Sequence, residues 1–239
     1  MPIFRLDDAD ISFPPAELAD DDYGGLLAVG GDYSPERLLN AYCNGIFPWP
    51  NPEVTDMITW FSPDLRFVLK KEHFHLPASL KRTLKKHPYE ITFDKAFPAV
   101  IHACATTIRP GQSGTWITDA LEKGYCTLHE RGFARSAEAW LDGELVGGLY
   151  GVAIGKCFFG ESMFARKPDA SKCAFATLAQ SLFDNGCPWI DCQVRTDHLA
   201  RFGAEEVCRA TYLEMLETYS RSVGAFAPTD LNAMDYQMR

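Results

Sequence analysis

The sequence predicts an α+β protein: a small N-terminal α/β unit ahead of a larger unit in which helices pack on a mixed sheet. Three observations carry this. Residues 135–164 read as three successive strands joined by glycine turns, and apolar-striped helices stand on either side of them. The first 66 residues differ in composition, being rich in proline, glycine and acid. We therefore expect two units, 1–66 and 67–239.

Within the first unit, Ser34-Pro35-Glu36 supplies an N-cap, a proline at the first helical position and an acid in the first turn. Leu38, Leu39 and Tyr42 form the apolar stripe of that helix, and Gly45 ends it. A tight aromatic segment, Gly45-Ile-Phe-Pro-Trp-Pro50, follows, and Trp60-Phe-Ser-Pro-Asp64 closes the unit.

In the second unit Phe67-Val-Leu69 reads as a short strand, followed by helices over 77–86 and 94–105. Thr118 caps a third helix carrying Leu121, Tyr125 and Leu128 on one face, with Gly132 beyond its end. Arg135 to Leu141 leads into Asp142-Gly143, the dipeptide of a type I′ hairpin. Glu144 to Ala153 and Lys156 to Phe164 are the next two strands. Ala170 to Asn185 is a striped helix stopped by Gly186, Trp189 to Val194 a strand, and Thr211 to Tyr219 a last helix.

The chain has 239 residues, 46% hydrophobic and 23% charged, with a formal charge of −9. Wholesale disorder and a small disulfide-stapled scaffold are excluded. An acidic protein is not drawn to nucleic acid over its whole surface, so any such contact needs a local basic patch. No apolar signal core opens the sequence and no later run approaches the roughly 18 apolar residues of a membrane span. Export and membrane insertion are therefore not expected. The eight cysteines form no Cys-x-x-Cys, and the histidine pairs His73-x-His75 and His102-x-Cys104 lack second members at zinc-site spacing. Reduced thiols and no metal are expected.

Strand alternation places Trp189, Asp191 and Gln193 on one face and Ile190, Cys192 and Val194 on the other. With the apolar side against a core, a carboxylate and a carboxamide stand together on the opposite side. Two readings are open: a solvated polar face, or a dyad that orients and deprotonates a nucleophile. Glu161 interrupts the apolar run 157–164 just after Gly160, which allows close approach or a bulge. It either pairs with Arg166 or Lys172, or lies at an exposed bulge, or binds a cationic ligand group.

Trp49 and Trp116 sit in proline- or glycine-flanked turns, as rim packing or as stacking platforms for bases. Over 70–90, six basic side chains face two acids, and Lys81, Arg82, Lys85 and Lys86 share a helix face. That face is either merely solvated or a phosphate contact.

A meander, helix, strand and helix in that order is also the core order of the acyl-CoA N-acyltransferase (GNAT) superfold, and His198 to Glu206 resembles its closing loop and strand. Yet no pyrophosphate loop stands before the helix at 170; the segment there is Phe164-Ala-Arg-Lys-Pro-Asp-Ala-Ser-Lys172. That argues against coenzyme A as acyl donor, and so against an acetyltransferase. A second rival is an adaptor that only binds a cationic group, through the acids Glu161 and Asp191.

Several segments together resemble the leucyl/phenylalanyl-tRNA–protein transferase family. They are Gly25-Leu-Leu-Ala-Val-Gly-Gly-Asp32, Gly45-Ile-Phe-Pro-Trp49, Ser62-Pro63-Asp64, Gly114-Thr-Trp-Ile117, Glu144-Leu-Val-Gly-Gly-Leu-Tyr-Gly151, Phe159-Gly-Glu-Ser-Met-Phe164, Ala170-Ser-Lys172 and Ile190-Asp-Cys-Gln193. The resemblance implies a small N-terminal domain joined to a GNAT-like domain. It implies a cytoplasmic enzyme that moves leucine or phenylalanine, less readily methionine, from aminoacyl-tRNA to the α-amine of proteins beginning with arginine or lysine. The products are degraded through the N-end rule, and no cofactor is needed because the ester is already activated.

By position, the resemblance assigns catalysis to Asp191 and Gln193. Gln193 held by Asp191 aligns the amine, Asp191 is itself the base, or an amide donor meets the oxyanion. Glu161 holds the site and contacts the incoming cationic residue. Trp49 and Trp116 stack on the terminal adenosine, and Leu149, Phe158, Met163, Leu178, Leu182 and Ile190 line the aminoacyl pocket. The chain departs from the family pattern at Thr196, where asparagine is usual, at Phe61 and Leu65 near the first boundary, and at Leu149, where methionine is frequent.

Overall fold

The computed structural model describes residues 3–50, 55–107 and 116–220. Two sheets organise them. The smaller has four strands, β1 (Phe4–Leu6), β2 (Leu26–Gly30), β3 (Phe47–Pro48) and β4 (Thr59–Phe61), in the order β1-β2-β4-β3. The sequence signalled only the helix of this region, because strands of two to five residues carry too few positions to show a period. That helix, α1 (Pro35–Cys43), is capped as expected, with Ser34 Oγ accepting from the Arg37 amide at 3.4 Å.

The larger sheet has seven strands: β5 (Leu65–Lys70), β6 (Glu90–Phe93), β7 (Ala134–Leu141), β8 (Glu144–Ile154), β9 (Cys157–Ala165), β10 (Trp189–Asp191) and β11 (Glu205–Cys208). Their order is β11-β5-β10-β9-β8-β7-β6. The meander β7-β8-β9 forms as predicted, and Asp142 and Gly143 both take positive φ, 52° and 80°, as a type I′ turn requires. β10 runs parallel to β9 and antiparallel to β5, so this sheet is mixed.

The remaining helices are α2 (Ala78–Leu84), α3 (Phe97–Thr106), α4 (Asp119–Glu130), α5 (Ala170–Asp184), α6 (Asp197–Ala200) and α7 (Arg209–Ser220). α5 covers one face of the large sheet; α3, α4 and α7 cover the other, with α1 packed on α4. Alternation sends Phe67, Leu69, Phe158 and Ile190 into the α5-side core, and Val68, Phe159 and Trp189 into the opposite core. Both faces are therefore buried. A solvated polar face behind Ile190 and Cys192 does not exist, and Asp191 is fully buried instead.

Two local irregularities open the sheet at one place. Between β8 and β9 the register slips, Tyr150 pairing with Ser162 and Gly151 with Gly160, so Glu161 is the extra residue of a β-bulge. β10 pairs with β9 only at Ile190 and Asp191, and the chain then leaves the sheet. The strand expected to continue to Val194 ends early because Asp191 Oδ1 accepts the Gln193 amide at 2.8 Å, an Asx turn, and Gln193 takes φ 61°. β9 runs on while β10 turns away, and the gap between them is a cavity.

Candidate active site

The cavity holds about 370 Å³. Its walls come from the two diverging chains, with Gly160 to Met163 on one side and Ile190 to Val194 on the other. Leu149, Met163, Phe175, Ile190 and Leu199 give it an apolar part, Glu161 and Gln193 a polar one, and Pro48, Trp49 and Trp116 a third wall. Trp49 is 39% exposed and meets Phe61 edge-on at 5.7 Å. The Gly114-Thr115 lead into Trp116 lies outside the described residues.

Glu161 touches neither Arg166 nor Lys172. Its Oε1 accepts from Tyr42 Oη and from Gln193 Nε2, both at 2.6 Å, and its Oε2 accepts from Tyr125 Oη at 2.8 Å. Arg166 reaches the Leu145 carbonyl and Lys172 pairs with Asp169. Burial pushes the Glu161 carboxyl up to about 7, the two tyrosine hydroxyls restrain that rise, the Asp191 charge adds to it and the Arg66 charge opposes it. The tyrosines meet because α4 approaches α1 closely at Gly124, where a Cβ would stand 2.6 Å from the Tyr33 carbonyl oxygen.

Asp191 is saturated by protein donors. Arg66 Nε lies 2.9 Å from Oδ1 and Arg66 Nη2 2.6 Å from Oδ2, Tyr212 Oη donates at 2.8 Å, and the Gln193 amide takes Oδ1. Arg66 lies between the rings of Phe47 and Tyr212, at 4.5 and 4.6 Å. Burial works against its charge, but Asp191 beside it holds the guanidinium protonated. Asp191 thus reaches Gln193 through the backbone. The Gln193 side chain answers to Glu161, and its Oε1 has no hydrogen bond among the described residues.

Of the pocket residues expected from resemblance, Leu149, Met163 and Ile190 line the cavity. Phe158, Leu178 and Leu182 do not: they are buried in the α5-side core, Phe158 with its ring against Gly151. Phe175 is the one α5 residue that reaches the cavity. Thr196, the departure from asparagine, lines the cavity and caps α6, its Oγ1 accepting from the Leu199 amide at 3.2 Å. Lys81, Arg82, Lys85 and Lys86 are all exposed on and just after α2, which Thr83 Oγ1 ties to Asp169 at 3.4 Å. No group of three His, Cys, Asp or Glu suited to a metal occurs among the described residues, and the eight cysteines are free thiols.

Sequence reasoning missed Tyr42, Tyr125, Arg66 and Tyr212 as site residues. A signal existed for the first two, since a tyrosine on the buried stripe of a helix needs a partner for its hydroxyl. For Arg66 the signal was parity: it shares a strand face with Val68, which is core.

An apolar part, a carboxyl–carboxamide pair and an aromatic wall thus meet in one cavity. Comparisons with known proteins place the chain in a family. Residues 68–217 match the profile of Leucyl/phenylalanyl-tRNA protein transferase, and residues 31–64 that of its N-terminal domain. The chain belongs to the leucyl/phenylalanyl-tRNA protein transferase family. It is 54% identical over 217 residues to the leucyl/phenylalanyl-tRNA–protein transferase of Myxococcus xanthus (strain DK1622), covering 90% of this chain and 91% of that one. With the enzyme of the same name from Syntrophotalea carbinolica the identity is 55%, covering 91% and 92%. A solved structure, the C-terminal domain of a putative lysylphosphatidylglycerol synthetase from Agrobacterium fabrum, gives a TM-score of 0.43 at 11% identity over 83% of this chain and 75% of that one, too loose a likeness to carry an argument.

Proposed function

We propose that this cavity is where an aminoacyl ester of tRNA meets the α-amine of an acceptor protein. As a member of its family the chain is an aminoacyl-tRNA–protein transferase, passing leucine or phenylalanine to an N-terminal residue. The observation that carries the site is the 2.6 Å bond from Gln193 Nε2 to Glu161 Oε1. It fixes which end of the carboxamide is which, turning Gln193 Oε1 into an acceptor with no donor among the described residues.

The chemistry asks for placement. An α-amine of pKa near 8 is only about a tenth neutral at pH 7, so the enzyme must align it and receive its proton. Gln193 Oε1 accepts an N–H of the amine and directs the nitrogen's lone pair at the ester carbonyl. Asp191 is a positioning residue in this scheme, holding the Gln193 backbone while Arg66 and Tyr212 hold it.

Leu149, Met163, Phe175, Ile190 and Leu199 receive the leucine or phenylalanine side chain, and each misfit costs about 1–3 kcal/mol in discrimination. Trp49 and Trp116 stack on the terminal adenosine, and Lys81, Arg82, Lys85 and Lys86 meet tRNA phosphates. The Glu161 carboxylate favours acceptors beginning with arginine or lysine, whose modified products enter the N-end rule pathway. We read 1–66 and 67–239 as two units, the second GNAT-like, acting in the cytoplasm where aminoacyl-tRNA is found. No helix among the described residues is long and apolar enough to cross a membrane.

Labelled leucyl-tRNA incubated with a peptide beginning with arginine should yield labelled peptide, and labelled acetyl-CoA should not. Label from acetyl-CoA would reinstate the acetyltransferase; peptide binding without transfer would make the protein an adaptor.

A further inference from the structure

We infer that Glu161, Tyr42 and Tyr125 form a closed ring of three oxygen-bearing groups that takes up the proton the acceptor's α-ammonium must lose, and holds it until product leaves. The inference rests on the transfer reading of the cavity and adds to it the destination of the proton.

The number of hydrogens decides which form of the ring the geometry fits. Three short contacts join the three side chains: Tyr42 Oη to Tyr125 Oη at 2.5 Å, Tyr42 Oη to Glu161 Oε1 at 2.6 Å and Tyr125 Oη to Glu161 Oε2 at 2.8 Å. Each of them needs one hydrogen. With Glu161 ionised only the two hydroxyl hydrogens exist, so one pair of oxygens is left with lone pairs facing each other. With Glu161 protonated there are three hydrogens for three bonds. Glu161 Oε2 then donates to Tyr125, Tyr125 to Tyr42, and Tyr42 to Glu161 Oε1. The spacing of the side chains fits the protonated ring.

The ionised ring can also receive that proton. A carboxylate offers about four lone-pair sites. Tyr42 and Gln193 occupy both on Oε1 and Tyr125 one on Oε2, which leaves one on Oε2 in a residue that lines the cavity. The groups around Glu161 are Tyr42 on α1, Tyr125 on α4, Tyr150 on β8, Arg66 on β5 and Asp191 on β10, with Tyr212 of α7 against Asp191. Arg66 and Asp191 are paired with each other and act on Glu161 in opposite directions. Burial places the Glu161 carboxyl near neutrality, at about 7, where a proton is both accepted and released.

The step balances. An N–H bond of the α-ammonium breaks, its electron pair staying on nitrogen and its proton passing to the open lone pair of Glu161 Oε2. The Tyr125 hydroxyl then turns to Tyr42, and the new Oε2–H rotates about its C–O bond into the place facing Tyr125. The amine nitrogen bonds to the ester carbonyl carbon, the bond from that carbon to the ribose oxygen breaks, and the second N–H proton ends on the departing ribose hydroxyl. One proton remains in the ring and returns to solvent with product release.

The test is infrared titration of the full-length protein, paired with single-turnover leucine transfer across the same pH range. The expected result is a carboxylic-acid band that disappears on titration at about pH 7 and is absent in Glu161→Gln. In Tyr125→Phe, which removes a donor to the carboxylate, that band and the acid limb of the transfer rate both move up by about one pH unit. The limb contributed by the substrate amine is common to wild type and variant and cancels in the comparison. A Glu161 band titrating in the ordinary carboxylate range of about 4, or one that shifts in Tyr125→Phe while the rate limb stays put, overturns the proposal. Should Glu161→Gln not fold, Glu161→Asp assigns the band by displacing it. A wild-type protein that moves no leucine at any pH rejects the transfer reading separately, because the band is read without substrate.

Discussion

Arg66 and Asp191 form a fully buried, two-pronged ion pair, Nε to Oδ1 at 2.9 Å and Nη2 to Oδ2 at 2.6 Å, beneath the cavity. Breaking such a pair strands a charge in the core. Arg66→Ala is expected to lower stability by about 3–5 kcal/mol in urea unfolding. Asp191→Asn keeps the shape but leaves the guanidinium without its counter-charge, and is expected to lose both stability and turnover. The acid limb of its pH–rate profile should persist but move to lower pH, because the Asp191 charge that helps to raise the Glu161 carboxyl is gone while the opposing Arg66 charge remains. A limb abolished by Asp191→Asn would make Asp191 the base.

Glu161 gives the fold a pH dependence of definite sign. Its carboxyl titrates at about 7 in the folded protein and near its ordinary value of 4.5 when unfolded. The folded state therefore binds the proton more tightly. Its contribution to stability is fully present below about 4.5 and is lost as pH rises through about 7. Urea midpoints of wild type should fall across that window relative to those of Glu161→Gln, in which the residue no longer titrates. Parallel curves for the two proteins would contradict the raised value.

The cavity separates specificity from stability along one helix. Phe175→Ala enlarges the cavity wall and should change the ratio of leucine to phenylalanine transfer by about 10-fold or more. Leu182→Ala, on the same helix but buried in the core behind, should cost about 2–5 kcal/mol of stability and leave the ratio unchanged. Competition between leucyl- and phenylalanyl-tRNA reads the first, and denaturation the second.

The basic face of α2 predicts salt dependence. Reversing Lys81, Arg82, Lys85 and Lys86 to glutamate should weaken tRNA binding and flatten the plot of log affinity against log salt. The slope should fall by about 0.7–0.9 for each phosphate that is no longer neutralised. An unchanged slope would leave the face merely solvated.

What could be read from the sequence was local. Ser34 and Thr118 announced their helices because a cap is satisfied within three residues, and Asp142-Gly143 announced its hairpin because only such residues take two positive φ values easily. The bulge at Glu161 was foreshadowed by Gly160 next to an acid in an apolar run. What could not be read was non-local. Arg66 and Asp191 are 125 positions apart and meet only because β5 pairs with β10. Gln193 gives no hint of a left-handed conformation, so alternation carried the strand three residues too far. Leu178 and Leu182 share a helical stripe with Phe175, and nothing in a stripe says which of its residues borders a cavity.

The central claim is that the Gln193 carboxamide, oriented by Glu161, aligns the attacking amine. Single-turnover transfer of labelled leucine from leucyl-tRNA to a peptide beginning with arginine tests it most directly. Gln193→Ala is expected to slow the transfer step by about 100- to 1,000-fold while affinity for leucyl-tRNA stays at the wild-type level. A Gln193→Ala protein that transfers leucine at the wild-type rate would contradict the account.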